Sequence, residues 1–131
     1  MDTRDPPVRP EISGSCLEFF PNPHPLLPLQ VSHTAFEFSH LCPFTGHPDY
    51  GEVAITFNPK ELCVELKTLK EYLQQFRDEK VSYEDAAGII FEHLWSPMLP
   101  VSLVIILTMQ GRGGIQSCIK LERTEGEQSC P

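Results

Sequence analysis

Cys42-Pro43-Phe44-Thr45-Gly46-His47-Pro48-Asp49 sets a thiol and a carboxylate seven residues apart on a stiff loop. Pro43 and Pro48 fix backbone angles, and Gly46 permits a tight turn between them. A soft nucleophile and a proton donor held on one rigid turn are the ingredients of covalent catalysis: Cys42 attacks, Asp49 delivers a proton. The plainer alternative is a structural turn that happens to carry a cysteine, and these residues alone leave both readings open.

Three further blocks carry polar groups at suggestive spacing. In Val64-Glu65-Leu66-Lys67-Thr68-Leu69-Lys70-Glu71-Tyr72, Lys67 and Lys70 fall about one helical turn apart, a spacing that suits a phosphate and equally a solvated helix face. In Ser82-Tyr83-Glu84-Asp85, Glu84 is either a helix-start carboxylate or, with Glu65, an acceptor for the adjacent N–H donors of an aminopyrimidine ring. Gly111-Arg112-Gly113-Gly114 lets backbone approach a ligand and offers a guanidinium fork for phosphate, but it also reads as a hairpin turn.

The elements that must position these groups fit one modest domain of 131 residues. Eighteen acidic against ten basic residues, a net charge of −8, argue against a duplex nucleic-acid binder, which needs a basic face. Five cysteines, an odd number without a disulfide-type spacing, are those of a reduced compartment. The start of the chain lacks the basic-then-apolar pattern of a signal peptide. The longest apolar run, Val101 to Met109, is too short to span a bilayer. A cytoplasmic location with no membrane contact is expected.

Residues 1–31 are rich in proline and read as an arm, with Leu26, Leu27 and Leu29 available to pin it down. His33 to Leu41 alternates, with Phe36, Phe38 and His40 on one side, and predicts a strand ending at Cys42. Glu52 to Phe57 predicts a second strand. Leu66 to Arg77 carries Leu66, Leu69, Leu73 and Phe76 at helical spacing. A second helix starts at Ser82, presents Ala86, Ile89, Ile90 and Leu94, and closes at Pro97. Val101–Met109 and Ile115–Leu121 form a hairpin, followed by a polar tail from Glu122. The domain proper is 32–123, with 124–131 as tail. The order strand-strand-helix-helix-strand-strand predicts an α+β fold, two helices on one face of a four-stranded antiparallel sheet. Its two open edges invite pairing with copies of the chain.

Taken together, Cys-Pro-x-Thr-Gly-x-Pro-Asp, Glu-Leu-Lys-x-Leu-Lys-x-Tyr and Arg-Gly-Gly resemble the NADPH-dependent nitrile reductases of queuosine synthesis, the 7-cyano-7-deazaguanine reductases or QueF family. The resemblance runs in order from His40 to Ile119 and leaves the arm outside. It implies the tunnelling fold (T-fold), rings of subunits with sites between neighbours, and four-electron reduction of a nitrile to a primary amine in transfer-RNA modification. Under it, Cys42 forms a covalent thioimide and Asp49 protonates nitrogen. Val64, Glu65, Leu66, Tyr83 and Glu84 hold the deazapurine nitrile. Leu66, Lys67, Arg112 and Gly113, joined by Lys70, hold NADPH, and no metal is required.

The chain departs from the family pattern at three places. His47 replaces a glutamine and sets a titratable group beside the site, and Tyr83 replaces the histidine that normally precedes the substrate glutamate. Thr68 and Glu71 are unusual in the lysine motif, Glu71 adding a negative charge near the phosphate position. Two alternative readings remain on the same fold. One is a zinc-dependent cyclohydrolase-like enzyme using His40, Cys42 and His47. The other is a non-reducing relative, either a deazapurine-binding module or an amidinotransferase-like paralogue acting on transfer RNA.

Overall fold

A computed structural model describes residues 10–126. The expected α+β order is present, with two short strands added. The strands are β1 (Phe19–Pro21), β2 (Val31–Leu41), β3 (Pro48–Asn58), β4 (Leu62–Val64), β5 (Ser102–Gln110) and β6 (Ser117–Thr124). The helices are α1 (Leu66–Gln74), continued by a 3-10 helix Gln75–Asp78, and α2 (Tyr83–Met98). The main sheet is antiparallel in the order β2-β3-β5-β6, so β2 and β6 are its edges; β1 and β4 pair separately.

The core lies between one face of this sheet and the helices. Val53, Ile55 and Phe57 of β3 and Leu103, Ile105, Leu107 and Met109 of β5 are buried at alternate positions, the period expected of a half-covered sheet. Leu69, Tyr72, Leu73 and Phe76 meet them from α1 and its 3-10 continuation, and Ala86, Ile90, Leu94 and Met98 meet them from α2. Leu66, placed on the apolar stripe from spacing alone, is exposed; Tyr72 takes the core position instead.

A bulge and several boundaries differ from the expected pattern. β2 carries a bulge between Ala35 and Phe38, which reverses its inward parity. Phe38 and His40 are therefore buried, while Phe36, expected beside them, is 74% exposed. β3 begins four residues before Glu52, at Pro48, a first-in-strand position where the missing N–H is tolerated. β6 carries the hairpin on to Thr124, so Glu122 to Thr124 are strand rather than tail. α2 passes through Pro97 and ends on Leu99, whose φ of 44° is left-handed and whose N–H donates to the Trp95 carbonyl.

That left-handed cap on a leucine gives a stability prediction. An L-residue with a Cβ is disfavoured there by about 1–2 kcal/mol, and glycine is not. Leu99→Gly is expected to stabilise the fold by about 1 kcal/mol, seen as a higher denaturant midpoint at unchanged slope; a lower midpoint would show that the half-exposed leucine side chain contributes more than the strain costs.

The segment before β2 is tied to α1. The Glu65 N–H donates to the Glu18 carbonyl at 2.8 Å, and the Glu18 N–H donates to Thr68 Oγ1 at 3.0 Å. Leu17 and Asn22 are its buried residues. Leu26, expected as a pin, is 95% exposed, and Leu27 is exposed as well. Residues 1–9 of the arm and 127–131 of the tail, Cys130 among them, lie outside the described residues.

Candidate active site

Cys42 directly follows β2, on the loop that turns into β3. Its N–H donates to the His47 carbonyl and its own carbonyl accepts from the Gly46 N–H, both at 2.8 Å. Gly46 has φ 74°, which a residue with a Cβ adopts only under strain. Leu41 is bracketed by Glu79 and Val81, accepting from the Val81 N–H and donating to the Glu79 carbonyl, so the strand end before the thiol is fixed. Partial burial disfavours the thiolate and Asp49 adds repulsion. Hydrogen bonds from the Thr45 side chain and from the Thr45 and Phe44 backbone outweigh both, and the thiol pKa sits below the ordinary cysteine value. A lowered pKa is what a cysteine nucleophile needs at neutral pH.

Asp49 is the second residue of β3 and only 7% exposed. With Cys42, Thr45, Tyr83, Gly111, Ile115 and Ser117 it lines a concavity of about 300 Å³. The structure thus brings together the predicted thiol, the predicted acid, Tyr83 at the start of α2 and the Gly111–Ile115 loop. Ser82 caps α2 by accepting from the Asp85 N–H at 3.0 Å, which sets Tyr83 in the first turn; Glu84 beside it is exposed. Gly113 has φ 68° and lies with Arg112 in a short 3-10 turn on the same loop. The Arg112 side chain lies outside what is described.

The other predicted residues are elsewhere. Val64 ends β4 and Glu65 precedes α1, which runs along β2 and, through its 3-10 continuation, reaches Glu79 beside Leu41; Cys42 and Asp49 lie at that far end, near Gln110. Between the two groups run nine α-helical and four 3-10 residues, roughly 20 Å. Val64 is buried. Both Glu65 oxygens accept N–H groups of their own helix, Lys67 at 3.0 Å and Thr68 at 2.8 Å, and these bonds, the one from Thr68 foremost, hold its carboxyl below the usual range. Leu66, Lys67, Lys70 and Arg77 line a separate concavity of about 840 Å³ whose apolar wall includes Phe36 and Leu73. Three cations over an apolar floor suit an elongated anionic ligand, with Glu37 as the opposing charge.

His40 is the residue whose place in the site the sequence reading missed; the sequence put it on the strand face with Phe36 and Phe38 and gave it a chemical role only as a zinc ligand. It is 0% exposed and stands opposite Asp49 in the β2–β3 register. Among the described residues no three His, Cys, Asp or Glu side chains are grouped to hold a metal ion, and His47 is exposed while His40 is turned inward. The zinc reading therefore lacks a ligand set among them. No helix there is long and apolar enough to cross a membrane.

A family model described as QueF-like protein matches residues 48–128. The chain belongs to the QueF family. Among curated QueF relatives, the NADPH-dependent 7-cyano-7-deazaguanine reductase of Rhodopirellula baltica is 40% identical over 103 residues, 79% of this chain and 85% of that one. The enzymes of the same name from Nitratiruptor sp. and Wolinella succinogenes are 36% and 41% identical, over 86% and 70% of this chain and 85% and 74% of theirs. The solved apo structure of the archaeosine synthase QueF-Like superposes with a TM-score of 0.69, covering 78% of this chain and 99% of that one, at 17% identity; it shares the fold.

Against this QueF background the departures acquire physical content. Thr68 is buried, and its hydroxyl donates to the Glu65 carbonyl and accepts the Glu18 N–H, so it fastens β1 to α1. Glu71 is exposed and is not part of the Lys67–Lys70 concavity. His47 is exposed and does not line the Cys42 concavity; its carbonyl, which accepts the Cys42 N–H, ties it to the loop.

Proposed function

We propose that this chain reduces the nitrile of 7-cyano-7-deazaguanine to the aminomethyl product with NADPH, through a thioimide on Cys42, as a step of queuosine synthesis. The observation that carries the reading is a thiol of lowered pKa sharing one concavity with a buried carboxyl group. A nitrile is a poor hydride acceptor, and a thioimide is a better one. Cys42 Sγ bonds to the nitrile carbon, one π pair moves to nitrogen, and Asp49 supplies the proton that nitrogen takes. Tyr83 walls the reacting carbon from water, and Glu84 and Glu65 accept from the N–H groups of the ring. Lys67, Lys70 and Arg77 over their apolar floor fit the phosphates and flat rings of a dinucleotide. NADPH, when bound, supplies hydride, and two successive molecules supply the four electrons. The hydrogen bonds that stabilise the Cys42 thiolate also favour its departure once the carbon has been reduced.

A bicyclic base spans no more than about two helical turns, so one chain cannot offer it both the Cys42 group and the Glu65 group roughly 20 Å away. A second copy completes the site in this reading, and the open edges of β2 and β6 are where copies would pair. The test of the reaction is NADPH consumption counted against amine formed. Two NADPH per amine are expected. Nitrile binding without NADPH oxidation would instead make the chain a non-reducing deazapurine binder.

A further inference from the structure

Among the described residues His40 is the only histidine with no exposed surface, and its Nε2 is the one buried side-chain polar atom with no hydrogen-bond partner. Nδ1 lies 3.3 Å from the Leu41 carbonyl, which can only accept, so Nδ1 carries the hydrogen and Nε2 is a bare acceptor. Leaving such an atom unpaired in a core costs free energy, and phenylalanine would fill the same space without that cost. Directly opposed residues of an antiparallel pair have Cβ atoms roughly 5 Å apart, and the residue opposed to His40 is Asp49. The imidazole also meets the Tyr83 ring edge-on, with centroids 5.5 Å apart, and packs on Phe38 at 5.9 Å. Burial is the main influence on His40 and keeps the ring neutral, with the Leu41 carbonyl and Asp49 acting the other way. Position 83, where the QueF pattern has a histidine, is here the tyrosine that touches His40.

We propose that His40 is a positioning residue that acts through Asp49: Nε2, which makes no hydrogen bond in this structure, accepts the Asp49 carboxyl hydrogen once the nitrile is engaged, and the proton the two then share is the one the nitrile nitrogen takes. The inference rests on the nitrile chemistry proposed above. The step balances. The Cys42 thiolate forms the S–C bond, nitrogen gains the shared proton, and the pair is left as neutral imidazole and carboxylate until solvent returns a proton. The imidazole lost from the start of α2 is thereby supplied from β2, from behind Asp49 and Tyr83, which line the pocket.

The test follows covalent adduct formation on Cys42 by rapid-quench mass spectrometry in wild type, His40→Gln, His40→Phe and each variant combined with Tyr83→His. Gln keeps an acceptor but takes up no proton; Phe fills the aromatic cluster should Gln fail to fold. The expected result is adduct formation slowed roughly 10- to 100-fold in both single variants, with the nitrile KM near wild type, and recovery of most of the rate on adding Tyr83→His. Adduct formation at the wild-type rate in either folded single variant overturns the proposal. So does a slowing matched by a raised KM and not relieved by Tyr83→His, which marks a purely structural histidine. Absence of an adduct in wild type removes the underlying nitrile reading instead, and this inference with it.

Discussion

Cys42→Ala is expected to abolish nitrile reduction, lowering turnover on the order of 10⁴-fold or more while the protein remains folded. Cys42 contributes little to the core. It sits half-buried on the loop after β2, and the backbone bonds that shape this loop, Cys42 to His47 and Gly46 to Cys42, do not involve the sulfur. Alanine keeps those bonds and gives up, with the nucleophile, the hydrogen bonds that Thr45 and Phe44 make to the sulfur. Cys42→Ser is expected to fare little better, because an alcohol in the same hydrogen-bonded setting stays protonated where the thiol ionises. The direction of the thiol shift adds a pH dependence. In wild type the rise of the adduct rate with thiolate formation should have its midpoint below the ordinary cysteine value of 9.0. Unchanged melting with retained turnover in Cys42→Ala would place the chemistry on another group.

The second large effect concerns the division of the site between two ends of the molecule. Glu65→Gln keeps one acceptor oxygen for the α1 cap and removes the charge, and a ring that presents N–H donors then meets an amide with donors of its own. Activity is expected to fall roughly 10²-fold. Cys42→Ala is inactive by itself. Co-refolded in equal amounts, the two variants should recover about one quarter of wild-type activity, because random pairing puts an intact Cys42 end against an intact Glu65 end in about one site in four. Each variant refolded alone provides the baseline. A mixture no more active than the sum of its parts would mean that both groups act within one chain, and would contradict the roughly 20 Å separation along α1.

Much of this arrangement was legible in the sequence, for reasons that differ by residue. The Cys42–Asp49 loop was readable because proline and glycine act locally: Pro48 opens a strand and Gly46 supplies a positive φ whatever surrounds them. The helices were readable from their periodicity, and Ser82 from its capping chemistry. The bulge in β2 was not. Phe36, Phe38 and His40 alternate perfectly, and nothing local shows that Ala35 and Phe38 would both face inward across one extra residue. β1 and β4 are three residues each and stabilised by partners distant in sequence, so no window reveals them. Thr68 looked like a flaw in a lysine motif because its partner, Glu18, lies fifty residues away. His40 was visible as a strand-face residue and a ligand type; its pairing with Asp49 is a matter of register, which the loop length between β2 and β3 sets.

The most direct measurement is the intact mass of wild-type protein held with saturating 7-cyano-7-deazaguanine and no NADPH. The expected gain is one whole nitrile molecule, because addition expels nothing, and it is confined to the peptide that carries Cys42. An unchanged mass, or a gain that persists in Cys42→Ala, would contradict it.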